Sequence, residues 1–478
     1  RRTLVQRGLI RGIIGLPPNL FYGTGIPACI VVVDKEHAHA RTGIFMVDAS
    51  RGFTKDGNKN RLRAQDIHKI VDVFTRQLEV PRYSRMVPVA EIASPDNDYN
   101  LNLPRYIDSS EPEDLHDLHA HLNGGIPRRD IDSLDAYWHV FPTLRQALLQ
   151  NGGREGYLEA RVPTNQLKDT ILGHSEFQTF TERVIAVFEG WRTAHEPSLK
   201  GIKVNDLPRE LVHTLAEDLL ARFADLLLVS RYDVYQRLMD YWAEVMQDDV
   251  YLIAADGWVE AARPRGIVED SGRKLRETPD LTIGRRKYKM DLLPPALIVA
   301  RFFSAEQAAI DALQAKQDAA AAAREEFVEE HGGEEGLLAE AINDSGKVTR
   351  SSVKARLQAL EASTGRPEDD DAERDALDHC LTLIEAEADA VRAVKQAQAS
   401  LDAQVLARYE KLTEVEIKTL VVEDKWLASL RAAVEGEMHR LIQQLDGRIR
   451  ELEERYAQPL PAIEREVEAL NAKVGEHL

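Results

Sequence analysis

The stretch that decides the fold of this chain is residues 9–35, LIRGIIGLPPNLFYGTGIPACIVVVDK. Its two ends, residues 9–16 and 26–33, are apolar runs rich in isoleucine and valine and bounded by glycine and proline, as in strands of a covered sheet. The loop between them carries two prolines, two glycines and the adjacent aromatics Phe21 and Tyr22. The pattern predicts a strand–loop–strand unit.

The aromatic pair in this loop has two interpretations. A loop that ends a strand and displays aromatics suits a flat ligand such as an unstacked base. Alternatively, Phe21 and Tyr22 cap the core of the sheet, which spacing alone favours because aromatics are large core residues first.

The α/β pattern continues to about residue 108. A third strand is predicted at 44–47, and a helix at 65–78 places Ile67, Ile70, Val71 and Phe74 on one face. Between them, residues 55–63 (KDGNKNRLR) are predicted to form a basic loop. The loop is either solvated or in contact with phosphates, and the candidate DNA contacts are Lys55, Lys59, Arg61 and Arg63.

Helices dominate from residue 109 to about 300, with predicted helices at 134–149, 207–228 and 233–245. A loop with the sequence GRRKYK at 284–289 supplies a second basic cluster. Its candidate DNA contacts are Arg285, Arg286 and Lys287, and a plain solvated loop is the alternative.

The last third, residues 301–478, is predicted to form long helices. Residues Met438, Ile442, Leu445, Ile449, Leu452 and Tyr456 follow alternating steps of four and three, the a/d pattern of a coiled coil. Leu460, Ile463, Val467, Leu470 and Val474 resume those steps after two prolines. The partner of this apolar seam is either residues 376–407 of the same chain or another subunit.

Composition excludes several classes of protein. The 478 residues carry a net charge of −19 and a pI of about 5.3, the opposite of a free-standing nucleic-acid clamp. Cys29 and Cys380 lie in apolar runs and are predicted to be buried free thiols in a reducing cytoplasm. The sequence contains no membrane-length apolar run or secretory signal, so we expect a soluble, cytoplasmic protein with no membrane partner.

Two further groups of polar residues are not assigned to a binding site. His116, His119 and His121 are spaced by three and two, which does not place all three on one helical face, so no metal is predicted. The acidic pair Asp248–Asp249 is predicted to be solvated surface.

Several unlike motifs occur in one order: LPPNLFYGTGIPACIVVVDK, IFMVDASRGF, NRLRAQDIHKIVDVF and DYNLNLPRYID. Together they resemble the modification subunit of type I restriction–modification systems, which are adenine-N6 DNA methyltransferases. The resemblance continues through AHLNGGIPRRDIDSLDAYWHVFPTLRQAL and YDVYQRLMDYWAEVMQDDVYLI, so it extends over at least the first half of the chain.

The resemblance implies a function and a set of partners. The intact subunit would transfer a methyl group from S-adenosyl-L-methionine to adenine N6 in DNA. It would work with a specificity subunit, a second modification subunit and a restriction subunit, and the apolar seam would dock on the specificity subunit. Phe21, or its neighbour Tyr22, would pack against the flipped base in the target-base pocket.

Two motifs that adenine methylation requires are missing from the sequence. Leu16-Pro17-Pro18-Asn19 has the prolines of an Asn-Pro-Pro-aromatic loop, but leucine cannot accept a hydrogen bond from an amine. Gly23-Thr24-Gly25 precedes a predicted strand, whereas a cofactor turn opens a helix. No catalytic residue is therefore assigned here. We expect the main S-adenosyl-L-methionine motifs upstream, in a longer polypeptide of which this chain is the C-terminal part.

The expected architecture has three regions. Residues 1–108 are the end of a methyltransferase α/β domain, 109–300 a helical domain, and 301–478 a long-helix region for subunit contacts. The fold class is thus α/β followed by predominantly α-helical. The alternative function is a non-catalytic helical scaffold of a DNA-modification or phage-defence complex.

Overall fold

The computed structural model describes residues 1–110, 114–267, 277–343, 346–362 and 368–477. The helices in chain order are α1 (Arg2–Gln6), α2 (Ala64–Arg76), α3 (Val89–Ile92), α4 (Leu118–Asn123), α5 (Arg128–Asp132), α6 (Asp135–Val140), α7 (Pro142–Leu148), α8 (Leu167–Gly173), α9 (Ser175–Lys200), α10 (Pro208–Arg222), α11 (Arg231–Tyr241), α12 (Gln247–Asp256), α13 (Trp258–Ala261), α14 (Pro295–Phe302), α15 (Ser304–His331), α16 (Arg350–Ala362), α17 (Glu368–Tyr409), α18 (Glu414–Lys418), α19 (Ala428–Tyr456) and α20 (Leu460–His477).

The strands are β1 (Ile10–Gly15), β2 (Cys29–Val33), β3 (Gly43–Asp48), β4 (Thr54–Asp56), β5 (Lys59–Arg61), β6 (Ser84–Pro88), β7 (Ile126–Pro127), β8 (Leu149–Asn151), β9 (Tyr157–Ala160), β10 (Arg265–Gly266), β11 (Leu281–Ile283) and β12 (Arg286–Lys289).

The chain folds into two compact units. The first comprises residues 1–199, 207–248 and 427–478, and the second comprises 200–206 and 249–426. The expected division at 108 and 300 stays a prediction about functional regions.

The first unit contains a four-stranded sheet in the order β2-β1-β3-β6. Strands β1 and β3 run parallel, with Gly15 opposite Asp48 at their carboxyl ends. Strand β3 is buried along its whole length, and β1 is buried except for partly exposed Arg11. The side chains of β1 and β3 belong to two apolar clusters, because successive residues of a strand point to opposite faces of the sheet.

The edge strand β2 departs from the prediction of a covered sheet. It pairs with β1 only, and four of its five residues are exposed. Ile30 and Val31 are each 47% exposed and Val33 is 57% exposed, so both faces of an apolar edge strand meet solvent. The prediction that Cys29 is buried is wrong for the same reason, whereas Cys380 is buried as predicted.

The structure also corrects two predicted helices. On α2 the inward residues are Ile70 and Val73, whereas Ile67 and Val71 are more than half exposed. The predicted helix 134–149 is divided into α6 and α7 at Pro142, which has no amide hydrogen to continue the helical ladder.

The apolar seam predicted in the C-terminal third is buried in its first part and exposed in its second part. Its first part lies on α19, where all six seam residues are buried, and α19 contacts α4, α8 and α11 of the same unit. This part of the seam is therefore buried against helices of its own unit. Its second part lies on α20, where the five apolar residues are between 37% and 57% exposed.

The second unit is mostly helical, with α15 packed along α17 and a small sheet in the order β10-β12-β11. Asp249 is 3% exposed, so the prediction that the Asp248–Asp249 pair is solvated surface is wrong for Asp249. Its carboxylate oxygen Oδ2 accepts hydrogen bonds from Lys425 Nζ and Trp426 Nε1, both at 2.7 Å. These donors allow the charge to be buried.

The predicted fold class is confirmed, since small sheets near the N-terminus are followed by a mainly helical chain that ends in long helices. Within the ranges described above, every helix is too short or too polar to cross a membrane.

Candidate nucleic-acid interface

The basic segment 55–63, predicted as a loop, is largely a β-hairpin. Strands β4 and β5 pair antiparallel across a tight turn at Gly57, whose φ of 58° suits a residue without a side chain. The hairpin presents Lys55 exposed and Lys59 partly buried. The segment is therefore more rigidly held than a loop would be.

The hairpin holds the aromatic loop that follows β1. The backbone amide of Asn60 donates to Asn19 O at 3.0 Å, and its side-chain Nδ2 donates to Pro18 O at 2.7 Å. Lys59 Nζ donates to Phe21 O at 3.1 Å. The structure thus brings together two groups of residues that the sequence proposed separately, the aromatic pair and part of the basic cluster.

The aromatic pair faces solvent. Tyr22 is 96% exposed and Phe21 is 50% exposed. Leu20, and neither aromatic, packs against the core of the sheet, so the core-capping interpretation is wrong. The Lys59 ammonium lies 5.9 Å from the centre of the Tyr22 ring, a distance at which a cation and an aromatic face attract.

The two arginines of the hairpin segment differ in what they contact. Arg61 is exposed, with Asp56 Oδ2 3.7 Å away. Arg63 is engaged: its Nε and Nη2 donate to Asp66 at 2.8 and 2.9 Å, and this contact starts helix α2. The hydrogen bonds that Arg63 donates to Asp66 raise the pKa of Arg63 above its ordinary value. Arg63 therefore has a structural partner, and Lys55, Lys59 and Arg61 form the accessible basic face.

Sequence reasoning missed two polar residues at this edge of the sheet. The sequence indicated Asn60 only as part of a basic run, although Asn60 donates two of the three hydrogen bonds described above that hold the loop. Asp48 ends β3 beside the end of β1 and is 7% exposed. Its Oδ2 accepts from Ser109 Oγ at 2.6 Å and its Oδ1 from Ser50 N at 3.0 Å. A polar residue directly after a buried strand was the signal that could have found Asp48.

The second basic cluster is also part of a hairpin and lies in the second unit. Arg285 and Arg286 are exposed at the turn between β11 and β12, and Lys287 is partly buried on β12. These three residues stay predicted DNA contacts.

Neither the histidines nor the glycines of the sequence analysis form a binding site. His116 Nδ1 lies 3.0 Å from His121 Nε2, and no group of three or more metal-binding side chains occurs in the part of the chain that the structure describes. Gly23 and Gly25 lie in an exposed loop that leads into strand β2. They do not open a helix, so these residues do not fit the cradle of a nucleotide-like cofactor.

The N-terminal part of the chain is similar to known proteins. Residues 1–115 match the family described as N-6 DNA Methylase. The type I restriction enzyme MjaVII methylase subunit of Methanocaldococcus jannaschii is 36% identical over 126 residues, which are 26% of this chain and 22% of that protein. The type I restriction enzyme MpnII methylase subunit of Mycoplasma pneumoniae is 33% identical over 116 residues, 24% of this chain and 21% of that protein.

A solved structure carries the same similarity. The type I restriction-modification system methyltransferase subunit from Streptococcus thermophilus is 32% identical, with 23% of this chain and 22% of that chain covered and a TM-score of 0.21. The family match and the two methylase subunits confirm the resemblance predicted from the motifs for the N-terminal segment. The matched segment spans about a fifth of the length of these relatives, 22% and 21% for the two methylase subunits.

Proposed function

We propose that this chain, whose first 115 residues match N-6 DNA methylases, is the target-base and subunit-contact part of a type I restriction–modification methylase acting on adenine N6 in DNA. The observation that carries the proposal is the exposed aromatic pair held by a basic hairpin. The acidic chain would act in the cytoplasm with partners that supply further DNA contacts.

The chemistry of the proposal concerns an adenine taken out of the duplex. Its exocyclic amine is inaccessible inside the stack, so the enzyme must extrude the base and stabilise it outside. Phe21 or Tyr22 supplies a ring on which the extruded base stacks, while Lys59 and Arg61 offer charges for the adjacent phosphates. S-adenosyl-L-methionine supplies the methyl group and would be held by parts of the subunit other than the residues described here.

The test of the aromatic pair replaces Phe21 and Tyr22 separately by alanine in the complete subunit with its specificity partner. Base stacking contributes about 1–3 kcal/mol per base, so we expect methyl transfer to fall roughly 5- to 150-fold in the variant that removes the stacking ring. The fluorescence rise of 2-aminopurine at the target position should fall in parallel. Tyr251→Ala is the matched control, because Tyr251 is 55% exposed in the second unit. Unchanged methylation and base extrusion in both variants would refute the proposal.

The exposed face of α20 supports a docking role. Leu460, Ile463, Val467, Leu470 and Val474 repeat at coiled-coil spacing, and a seam this narrow is stable only against another helix. We propose that the partner is the specificity subunit, with the second modification subunit and the restriction subunit joining the same assembly.

The docking proposal is tested by placing a charge in the seam. Val467→Glu and Leu470→Glu should each abolish co-elution with the specificity subunit, whereas Glu466→Gln on the same helix should not. Co-elution of both seam variants at the wild-type ratio would contradict the proposal.

A non-catalytic scaffold is the second candidate, favoured by one observation. The family match ends at residue 115, and the remainder of the chain is mainly helical. Radiolabelled methyl transfer by the complete subunit in the presence of its specificity partner separates the two, because a scaffold incorporates no label.

A further inference from the structure

A groove of about 660 Å³ lies in the first unit, beyond residues 1–115, which are the part that matches the N-6 DNA Methylase family. Three arginines line it, Arg128, Arg145 and Arg161, and among its described lining residues none is an aspartate or glutamate. This is an unusual surface for a chain with a net charge of −19. A concave surface that concentrates one sign of charge attracts ligands of the opposite sign.

The small sheet β7-β9-β8 sets the positions of two of these arginines. Arg128 directly follows β7 and its amide donates to Gly156 O at 2.9 Å, at the start of β9. Arg161 directly follows β9 and its amide donates to Leu148 O at 2.8 Å. The backbones of the two arginines therefore lie near opposite ends of β9, with Cα atoms roughly 16 Å apart at a rise of about 3.3 Å per residue, and both side chains line the groove.

The charges of these two arginines are not neutralised within the described residues. A guanidinium nitrogen of Arg128 donates to Asn151 Oδ1 at 2.9 Å, and one of Arg161 donates to the backbone oxygen of Gln146 at 3.0 Å. Both acceptors are neutral, so they orient the guanidinium groups and leave the positive charge in place. Arg145 differs, because it forms an ion pair with Asp132.

The remaining wall of the groove favours contacts that do not depend on base identity. Trp138 is 8% exposed and its indole nitrogen donates to Ile131 O at 2.6 Å, so the ring is a fixed part of the wall. The amide side chains of Gln146, Gln150 and Asn151 line the groove beside the arginines. Arginine and amide side chains are typical donors to phosphate and sugar oxygens of nucleic acids.

We propose that this groove binds the phosphate groups of a nucleic-acid backbone. Three arginines line the groove together with the amide side chains of Gln146, Gln150 and Asn151, and so many donors favour a polyanion over a free phosphate ion or a mononucleotide. The groove is a sequence-independent contact, and the proposal does not depend on methyl transfer by this chain.

The experiment measures binding of a fluorescein-labelled 20-nucleotide single strand and the matching duplex to the whole chain, by anisotropy at several salt concentrations. The double variant Arg128→Ala/Arg161→Ala should weaken binding at least tenfold at low salt. The slope of log affinity against log salt should fall by about 0.7 per lost contact on the single strand and about 0.9 on the duplex. Arg128→Lys/Arg161→Lys should keep most of the slope, because the charges remain.

Controls separate this site from folding and from the aromatic loop. Arg209→Ala removes an exposed arginine on α10 and should leave affinity and slope unchanged. Phe21→Ala and Tyr22→Ala are not neutral controls, because they remove a proposed stacking ring; they should lower affinity without changing the slope, since they remove no charge. The near-ultraviolet circular dichroism spectrum of the double variant, compared with that of the wild-type chain, tests whether the variant is folded.

Three results would overturn the proposal. The first is wild-type affinity and slope in the double alanine variant. The second is no binding of either DNA by the wild-type chain at low salt. The third is competition by inorganic phosphate or AMP at the same phosphate concentration as the DNA, which would assign the groove to a single phosphate group.

Discussion

Replacing Asp249 by alanine removes a carboxylate that is buried in the second unit. Its Oδ2 accepts from Lys425 Nζ and Trp426 Nε1, and Lys425 also donates to Leu292 O at 2.6 Å. The side chains of Asp249 and Lys425 are 4% and 12% exposed. The substitution removes a carboxylate that pairs with a largely buried ammonium and accepts from an indole that is fully buried.

General magnitudes set limits on the free energy of unfolding that Asp249→Ala should lose. Removing one partner of a buried ion pair costs about 3–5 kcal/mol, and an unsatisfied buried donor costs about 1–3 kcal/mol. The two contributions share one oxygen and are not additive, so we expect a loss of about 4 kcal/mol. Asp249→Asn keeps one acceptor oxygen and should lose less, about 2–3 kcal/mol.

The assay is equilibrium unfolding in urea followed by tryptophan fluorescence, in which Trp426 reports on the altered site. With a urea dependence of about 2–3 kcal/mol per molar, the midpoint should fall by roughly 1.3–2 M. Asp248→Ala is the matched control, because Asp248 is exposed and should change stability by less than about 0.5 kcal/mol. Adding Lys425→Met to Asp249→Ala should recover part of the loss, because the substitution removes the buried ammonium. An Asp249→Ala midpoint equal to that of Asp248→Ala would refute the reasoning.

Two further predictions concern the first unit. The side chain of Glu437 is 3% exposed and accepts hydrogen bonds from Arg237 Nε at 2.7 Å and Arg440 Nε at 2.6 Å. Glu437→Gln should therefore lower the free energy of unfolding in urea by about 2 kcal/mol. This value is below that of a fully buried ion pair, because both arginines are partly exposed. Tyr232 donates to Asp72 Oδ2 at 2.6 Å, and burial together with this hydrogen bond raises the pKa of Tyr232 to about 12. A raised pKa means that the folded state retains the proton, so this contribution is complete below pH 10, the ordinary tyrosine value, and is lost between pH 10 and 12. Tyr232→Phe should therefore lower stability by about 1 kcal/mol at neutral pH and flatten the pH profile above 10; an unchanged alkaline profile would contradict this assignment.

The residues of the candidate interface could be predicted from the sequence, but their exposure and the contacts between them could not. Phe21 and Tyr22 were identifiable as an aromatic pair in a loop between strands, and Lys59 as part of a basic run. The exposure of the two aromatics could not be predicted from the sequence. An aromatic packs in the core only where no neighbouring side chain occupies that space, and here Leu20 occupies it. The role of Asn60 was equally hidden, since its bonds reach residues about 40 positions earlier in the chain.

The sequence by itself determined the local elements and the family resemblance. Strands β1 and β3, helix α2 and the apolar seam on α19 follow from the period of apolar residues, which the backbone geometry of strands and helices imposes locally. The resemblance depends on motifs within the first part of the chain, and the comparisons confirm it there.

Only the tertiary structure decided which charges are buried and which arginines line the same groove. Asp248 and Asp249 are adjacent and chemically identical, yet one is exposed and the other is held by Lys425. Arg128 and Arg161 line one groove because the hydrogen bonds of β7 and β9 place them there. Burial and convergence arise from contacts between residues far apart in the chain, and no local period encodes them.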